Sequence, residues 1–164
     1  MGLQQGDAAP DVTLVSTDMK PVQLADEWKQ GPVVLLFFPL AFTSTCTEEL
    51  CTMRDDIGAY TGLNARVIAT SVDSPFVLQR YKQEVGADYL FASDFNREAS
   101  AAFGVLRESP LVPGLRNASD RAAFVIGRDG AIRYAWHSTN PSLLPPFDEI
   151  KQALAAWRLR CERE

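Results

Sequence analysis

Basic charge is scarce in this sequence of 164 residues: 16 lysines and arginines face 21 aspartates and glutamates, leaving a formal charge of −5. That net negative charge argues against an electrostatic grip on nucleic acid or on an anionic membrane surface. A small neutral substrate or a protein partner fits it better. Cysteine is sparse too, with three residues, too few for a disulfide scaffold and, in a reducing compartment, suited to catalysis, metal binding or no role at all. The single histidine is His137, and its spacing from the cysteines follows no zinc pattern, which argues against a structural metal site. A C-x-x-C pair is missing because Cys46 is followed by Thr47-Glu48-Glu49, so the signature of a general thiol-disulfide oxidoreductase is absent. There is no apolar run of membrane-spanning length, and Met1 to Asp7 has neither the basic start nor the apolar core of a secretion signal. A cytoplasmic protein with no membrane partner is therefore expected. Repeats, low-complexity stretches and linkers are absent as well. One domain over residues 1–164 is expected, with 46% hydrophobic residues to fill its core.

What is present alternates between strand-like and helix-like patterns. Residues 7–24 hold short alternating segments (Val12, Leu14, then Val22, Leu24) split by Ser16-Thr17-Asp18, the pattern of an N-terminal hairpin. A short helix over 24–29 follows. Val33-Val34-Leu35-Leu36-Phe37-Phe38 reads as a strand buried on both faces, ended by Pro39. A helix is predicted over 45–60 with Leu50, Met53, Ile57 and Tyr60 on one face, then a buried strand over 66–71. Ser74 and Pro75 are placed to cap and start the next helix, with Val77, Leu78 and Tyr81 as its packing face and Gly86 closing it. A strand over 89–92 and a helix over 97–103 lead into an irregular stretch, 104–120, of the kind that lines a site. Residues 122–126 and 132–136 flank the turn Arg128-Asp129-Gly130 as a hairpin, and Pro146 starts a last helix. These elements make an α/β fold with a central mixed β-sheet covered by helices on both faces.

The run from Pro39 to Cys46 joins a buried strand to a helix start. A cysteine in a first helical turn faces unpaired backbone N–H groups and the positive end of the helix dipole, which favour the reactive thiolate. The spacing Pro39-x-x-x-Thr43-x-x-Cys46 is similar to the active-site signature of the peroxiredoxins. Gly6-Asp7-Ala8-Ala9-Pro10-Asp11 resembles the N-terminal segment of that family, and Ser93-Asp94 through Phe103-Gly104-Val105 resembles its later helix. Arg121-Ala122-Ala123-Phe124-Val125-Ile126 resembles the strand that delivers its active-site arginine. The resemblance implies a thioredoxin-like fold and reduction of hydrogen peroxide or organic hydroperoxides through a sulfenic acid on Cys46. It further implies that Arg121 sits beside the sulfur, and that Thr43, the Cys46 N–H and Arg121 act on the leaving oxygen. Pro39 would shield the site, and Glu49 would orient Arg121. No cofactor is implied; the partners would be the peroxide and a thioredoxin or similar thiol reductant, with the protein a monomer or homodimer.

Cys51 lies five positions after Cys46, as in the peroxiredoxin Q group, also called bacterioferritin-comigratory proteins, where that cysteine resolves the sulfenic acid. Five helical residues advance about 7.5 Å and turn about 140°, which sets the two α-carbons roughly 8 to 9 Å apart. That exceeds the span of about 7 Å that a disulfide bridges. Pairing would therefore require the first turns of the helix to unwind. The other reading makes Cys51 a core residue beside Leu50, with an external thiol in its place. Phe37-Phe38-Pro39-Leu40-Ala41-Phe42-Thr43 also resembles the one-cysteine peroxiredoxin E group, and Cys161 is either incidental or an alternative resolver. A peroxide sensor using Cys46 would share all these features.

Overall fold

In the computed structural model, which describes residues 2–163 but not the side chains of 158 and 160–163, one seven-stranded sheet organises the chain. The side chain of Cys161 thus lies outside the described residues. The elements in chain order are β1 (Thr13–Ser16), β2 (Pro21–Gln23), α1 (Leu24–Trp28), β3 (Val33–Phe37), α2 (Ser44–Asp55), α3 (Ile57–Gly62) and β4 (Arg66–Ser71). There follow α4 (Pro75–Val85), β5 (Leu90–Ser93), α5 (Glu98–Ala102), β6 (Arg121–Ile126), β7 (Ile132–Ser138) and α6 (Phe147–Arg163). The strands lie in the order β2-β1-β5-β4-β3-β6-β7. β3, β4 and β5 run parallel, while β6, β7 and the N-terminal hairpin are antiparallel, so the sheet is mixed as expected.

β3 is central and wholly buried, which explains why its sequence shows no polar alternation. Val33, Leu35 and Phe37 face a core completed by α1 and α5; Val34, Leu36 and Phe38 face a second core completed by α2, α3, α4 and α6. β6 alternates in the same way, with Ala122, Phe124 and Ile126 on the first side and Ala123 and Val125 on the second. Phe37 pairs with Ala122 in register. Arg121 therefore emerges just beyond the carboxyl end of β3, on the side where α2 packs. No helix of the described residues is long and apolar enough to cross a membrane.

Two expectations need correction. The helix predicted over 45–60 is broken at Asp56, whose backbone (φ −114°, ψ 13°) leaves helical geometry. Aspartate and the following Gly58 are poor helix formers, and the Asp56 carboxylate is engaged by Lys151 of α6 at 2.7 Å. The packing face of α4 is Leu78, Tyr81 and Val85, whereas Val77 is exposed; the buried stripe keeps the three-and-four spacing and Val77 falls on its flank. Ser74 does cap α4, its hydroxyl accepting the Val77 N–H at 3.2 Å, and Gly86 ends it with φ 73°. That left-handed φ is one glycine adopts freely.

Candidate active site

Cys46 occupies the first turn of α2 and is 1% exposed. Its sulfur accepts from Nη2 of Arg121 at 3.2 Å, across 75 residues of sequence. The same Nη2 donates to the Pro141 carbonyl at 2.7 Å, and Nη1 donates to Oε2 of Glu49, one turn along α2 from Cys46. Arg121 and Glu49 are both fully buried. Two further acceptors, Glu49 and the Pro141 carbonyl, thus hold the guanidinium against the sulfur, a permanent positive charge in a buried setting. Burial pushes the Glu49 carboxyl up, to about 7, against the opposing pull of Arg121.

The loop between β3 and α2 is braced from three sides. Phe38 donates its N–H to the Thr70 carbonyl at 3.0 Å, and its own carbonyl accepts the buried Ser119 hydroxyl at 3.0 Å. Pro39, directly after β3, is buried. The Ala41 N–H donates to Asp73 at 2.8 Å, and the Ser71 hydroxyl donates to the same carboxylate oxygen at 2.6 Å. Phe42 is held at φ 66°, a left-handed conformation costly for a bulky residue, while its ring leans on Tyr81 with centroids 4.8 Å apart. This bend delivers Thr43 to the helix start, where its hydroxyl donates to the Leu40 carbonyl at 2.9 Å. The donor capacity expected of Thr43 is therefore spent on Leu40, and its lone pairs stay open.

Residues 5–135 match the AhpC/TSA family. The chain belongs to that family. Alkyl hydroperoxide reductase E of Mycobacterium tuberculosis is 34% identical over 135 residues, covering 81% of this chain and 84% of that protein. Peroxiredoxin Bcp of Escherichia coli is 29% identical over 134 residues, covering 82% and 85%. Among solved structures, peroxidoxin BcpB from M. tuberculosis superposes with a TM-score of 0.81 at 28% identity, covering 94% of this chain and 97% of that one. The protein is thus a peroxiredoxin-family enzyme with a thioredoxin-like fold, as the resemblance at Pro39, Thr43 and Cys46 implied.

Within this peroxiredoxin, Cys46, Arg121, Glu49, Thr43 and Pro39 come together at one end of β3. Cys51 does not join them. It sits half-buried in the middle of an unbroken α2, and both it and Cys46 are free thiols. Among residues that sequence reasoning missed, Asp73 was within reach, since it follows the carboxyl end of β4, where open parallel sheets place their sites. The Pro141 carbonyl was not, because a backbone acceptor leaves no mark in residue type.

Proposed function

We propose that Cys46 is the peroxidatic nucleophile of a thiol peroxidase. The observation that carries this reading is the Arg121 guanidinium 3.2 Å from the Cys46 sulfur. The thiolate attacks one peroxide oxygen; the S–O bond forms as the O–O bond breaks, the departing oxygen takes up a proton from solvent and leaves as water or an alcohol, and the sulfenic acid remains on Cys46. Arg121 and the first-turn N–H of Cys46 stabilise the charge that develops on the departing oxygen. Thr43, its own proton committed to Leu40, accepts the O–H of the incoming peroxide and so orients it. Pro39, with no N–H to offer, keeps water from the sulfur. Glu49 orients Arg121.

Cys51 then resolves the sulfenic acid as a 46–51 disulfide, and a thioredoxin-type reductant restores both thiols. The unbroken α2 also supports a second reading, turnover on Cys46 alone with an external thiol. The single sheet shared by both cores supports one domain over 1–164. Rapid-mixing kinetics with hydrogen peroxide, followed by mass spectrometry of wild type, Cys46→Ser and Cys51→Ser, test the assignment. Cys46→Ser should lose peroxide consumption, wild type should show the 46–51 link, and Cys51→Ser should trap sulfenic or sulfinic acid on Cys46. Full consumption by Cys46→Ser would sink the reading of Cys46, and a 46–161 or intermolecular link that of Cys51.

A further inference from the structure

Helix α2 carries tertiary ties that peroxide attack does not use. Tyr89, buried just ahead of β5, donates its hydroxyl to the Leu50 carbonyl at 2.6 Å. The Thr47 hydroxyl donates to the Thr43 carbonyl at 2.8 Å, so the hydroxyl of Tyr81, 2.9 Å away, is the donor of their shared bond. Both ties fall within residues 46–51, the stretch that must leave helical geometry before Cys46 and Cys51 can meet. A third, from Arg54 to the Val85 carbonyl at 2.6 Å, falls beyond it. Unwinding the turn around Leu50 strands the Tyr89 hydroxyl in an apolar core without an acceptor, a cost that an untied turn does not carry.

We infer that Tyr89, with Tyr81 in support, is a positioning residue that pins the second turn of α2 and so sets how long the Cys46 sulfenic acid waits for Cys51. The inference rests on the resolving role read for Cys51. Two fates compete for the sulfenic acid. In resolution the Cys51 sulfur attacks the Cys46 sulfur; the S–S bond forms, the S–O bond breaks, and the oxygen leaves as water with the thiol proton. In over-oxidation the sulfenic sulfur takes an oxygen from a second peroxide, whose O–O bond breaks to release water or alcohol, and sulfinic acid results. A tighter pin gives the second fate more time.

The test is Tyr89→Phe, which keeps the ring and removes only the donor. Amide hydrogen exchange of the reduced protein is measured beside the disulfide and sulfinic acid formed on peroxide titration. Exchange over residues 46–51 is expected to rise roughly three- to tenfold, the size of one net hydrogen bond, with β3 and β4 unchanged. Disulfide formation should quicken by a similar factor, the sulfinic fraction should fall, and the first peroxide step should keep its rate. Unchanged exchange over 46–51, or a rise shared by β3 and β4, overturns the pin. A local rise without faster disulfide formation overturns its link to resolution. If wild type forms no 46–51 disulfide, the reading of Cys51 falls instead, and the exchange measurement still decides the pin. Should Tyr89→Phe not fold, Tyr81→Phe removes the other donor and is judged by the same outcomes.

Discussion

Asp120 and Arg121 are chain neighbours whose side chains lie on opposite sides of the sheet, and each belongs to an arginine–carboxylate pair. Arg121 meets Glu49 with both side chains out of water, and shares its guanidinium with the Cys46 sulfur. Asp120 accepts from Arg107 at 2.9 Å and lies 2.7 Å from Nε2 of His137, whose side chain is 27% exposed. Arg107 also donates to the Thr139 carbonyl at 3.0 Å. The second cluster thus ties the 104–120 stretch to the segment after β7. Arg107 and Asp120 are themselves largely buried, so the difference between the clusters is the third partner, a part-exposed histidine in one and a buried sulfur in the other. Desolvating an ion pair costs about as much as its attraction returns, so stability does not explain the Arg121–Glu49 pair. The role proposed for Arg121, positive charge held against a sulfur, does.

The contrast breaks first at the arginines. Arg121→Ala should lower the second-order rate with hydrogen peroxide by about 10²- to 10³-fold, the usual loss for one donor to a developing anion, while Arg107→Ala should lose far less; equal losses in rapid-mixing assays would erase the distinction. Removing the carboxylates should separate the pairs in stability. Glu49→Ala leaves a buried guanidinium uncompensated and should cost about 3 to 5 kcal/mol in urea unfolding, against about 1 to 3 kcal/mol for Asp120→Ala.

A pH series sharpens the comparison further. Burial raises the Glu49 carboxyl from 4.5 to about 7 in the folded protein, so between those values the folded state holds the proton that the unfolded state has released. Its contribution to stability is complete below about 4.5 and is lost as pH rises toward about 7. Wild type should therefore lose stability over that window relative to Glu49→Gln; parallel curves would show that Glu49 does not titrate there. The smallest effect belongs to His137, the part-exposed member of the second cluster. His137→Gln should change stability by no more than about 1 kcal/mol, the scale of one part-exposed hydrogen bond, and leave the peroxide rate unaltered.

Local signals made much of the fold legible. The unpunctuated apolar run of β3, the Ser74-Pro75 start of α4, the Gly86 stop and the Arg128-Asp129-Gly130 turn each write their structure within a few residues, by burial on two faces, capping and preferred φ. The break at Asp56 was written only weakly, by the low helix propensity of Asp56 and Gly58, and it accompanies a tie to Lys151, 95 residues away. Val77 misled for a related reason: periodicity names a stripe, and only the position of the sheet decides which residues at its edge are covered.

Sequence alone determined the alternation of strands and helices and the placing of Cys46 in a first helical turn, because periodicity, proline and turn chemistry act between near neighbours. It also marked Pro39, Thr43 and Arg121 through their resemblance to a family pattern. Tertiary structure decided the rest. The antiparallel register of β6 on β3 carries Arg121 to Cys46 and Glu49 across 75 and 72 residues, and chain folding alone supplies the Pro141 carbonyl and the tyrosine ties on α2. Those contacts depend on how the sheet is ordered and on which backbone groups its ends expose, and strand order and register are properties of the assembled sheet.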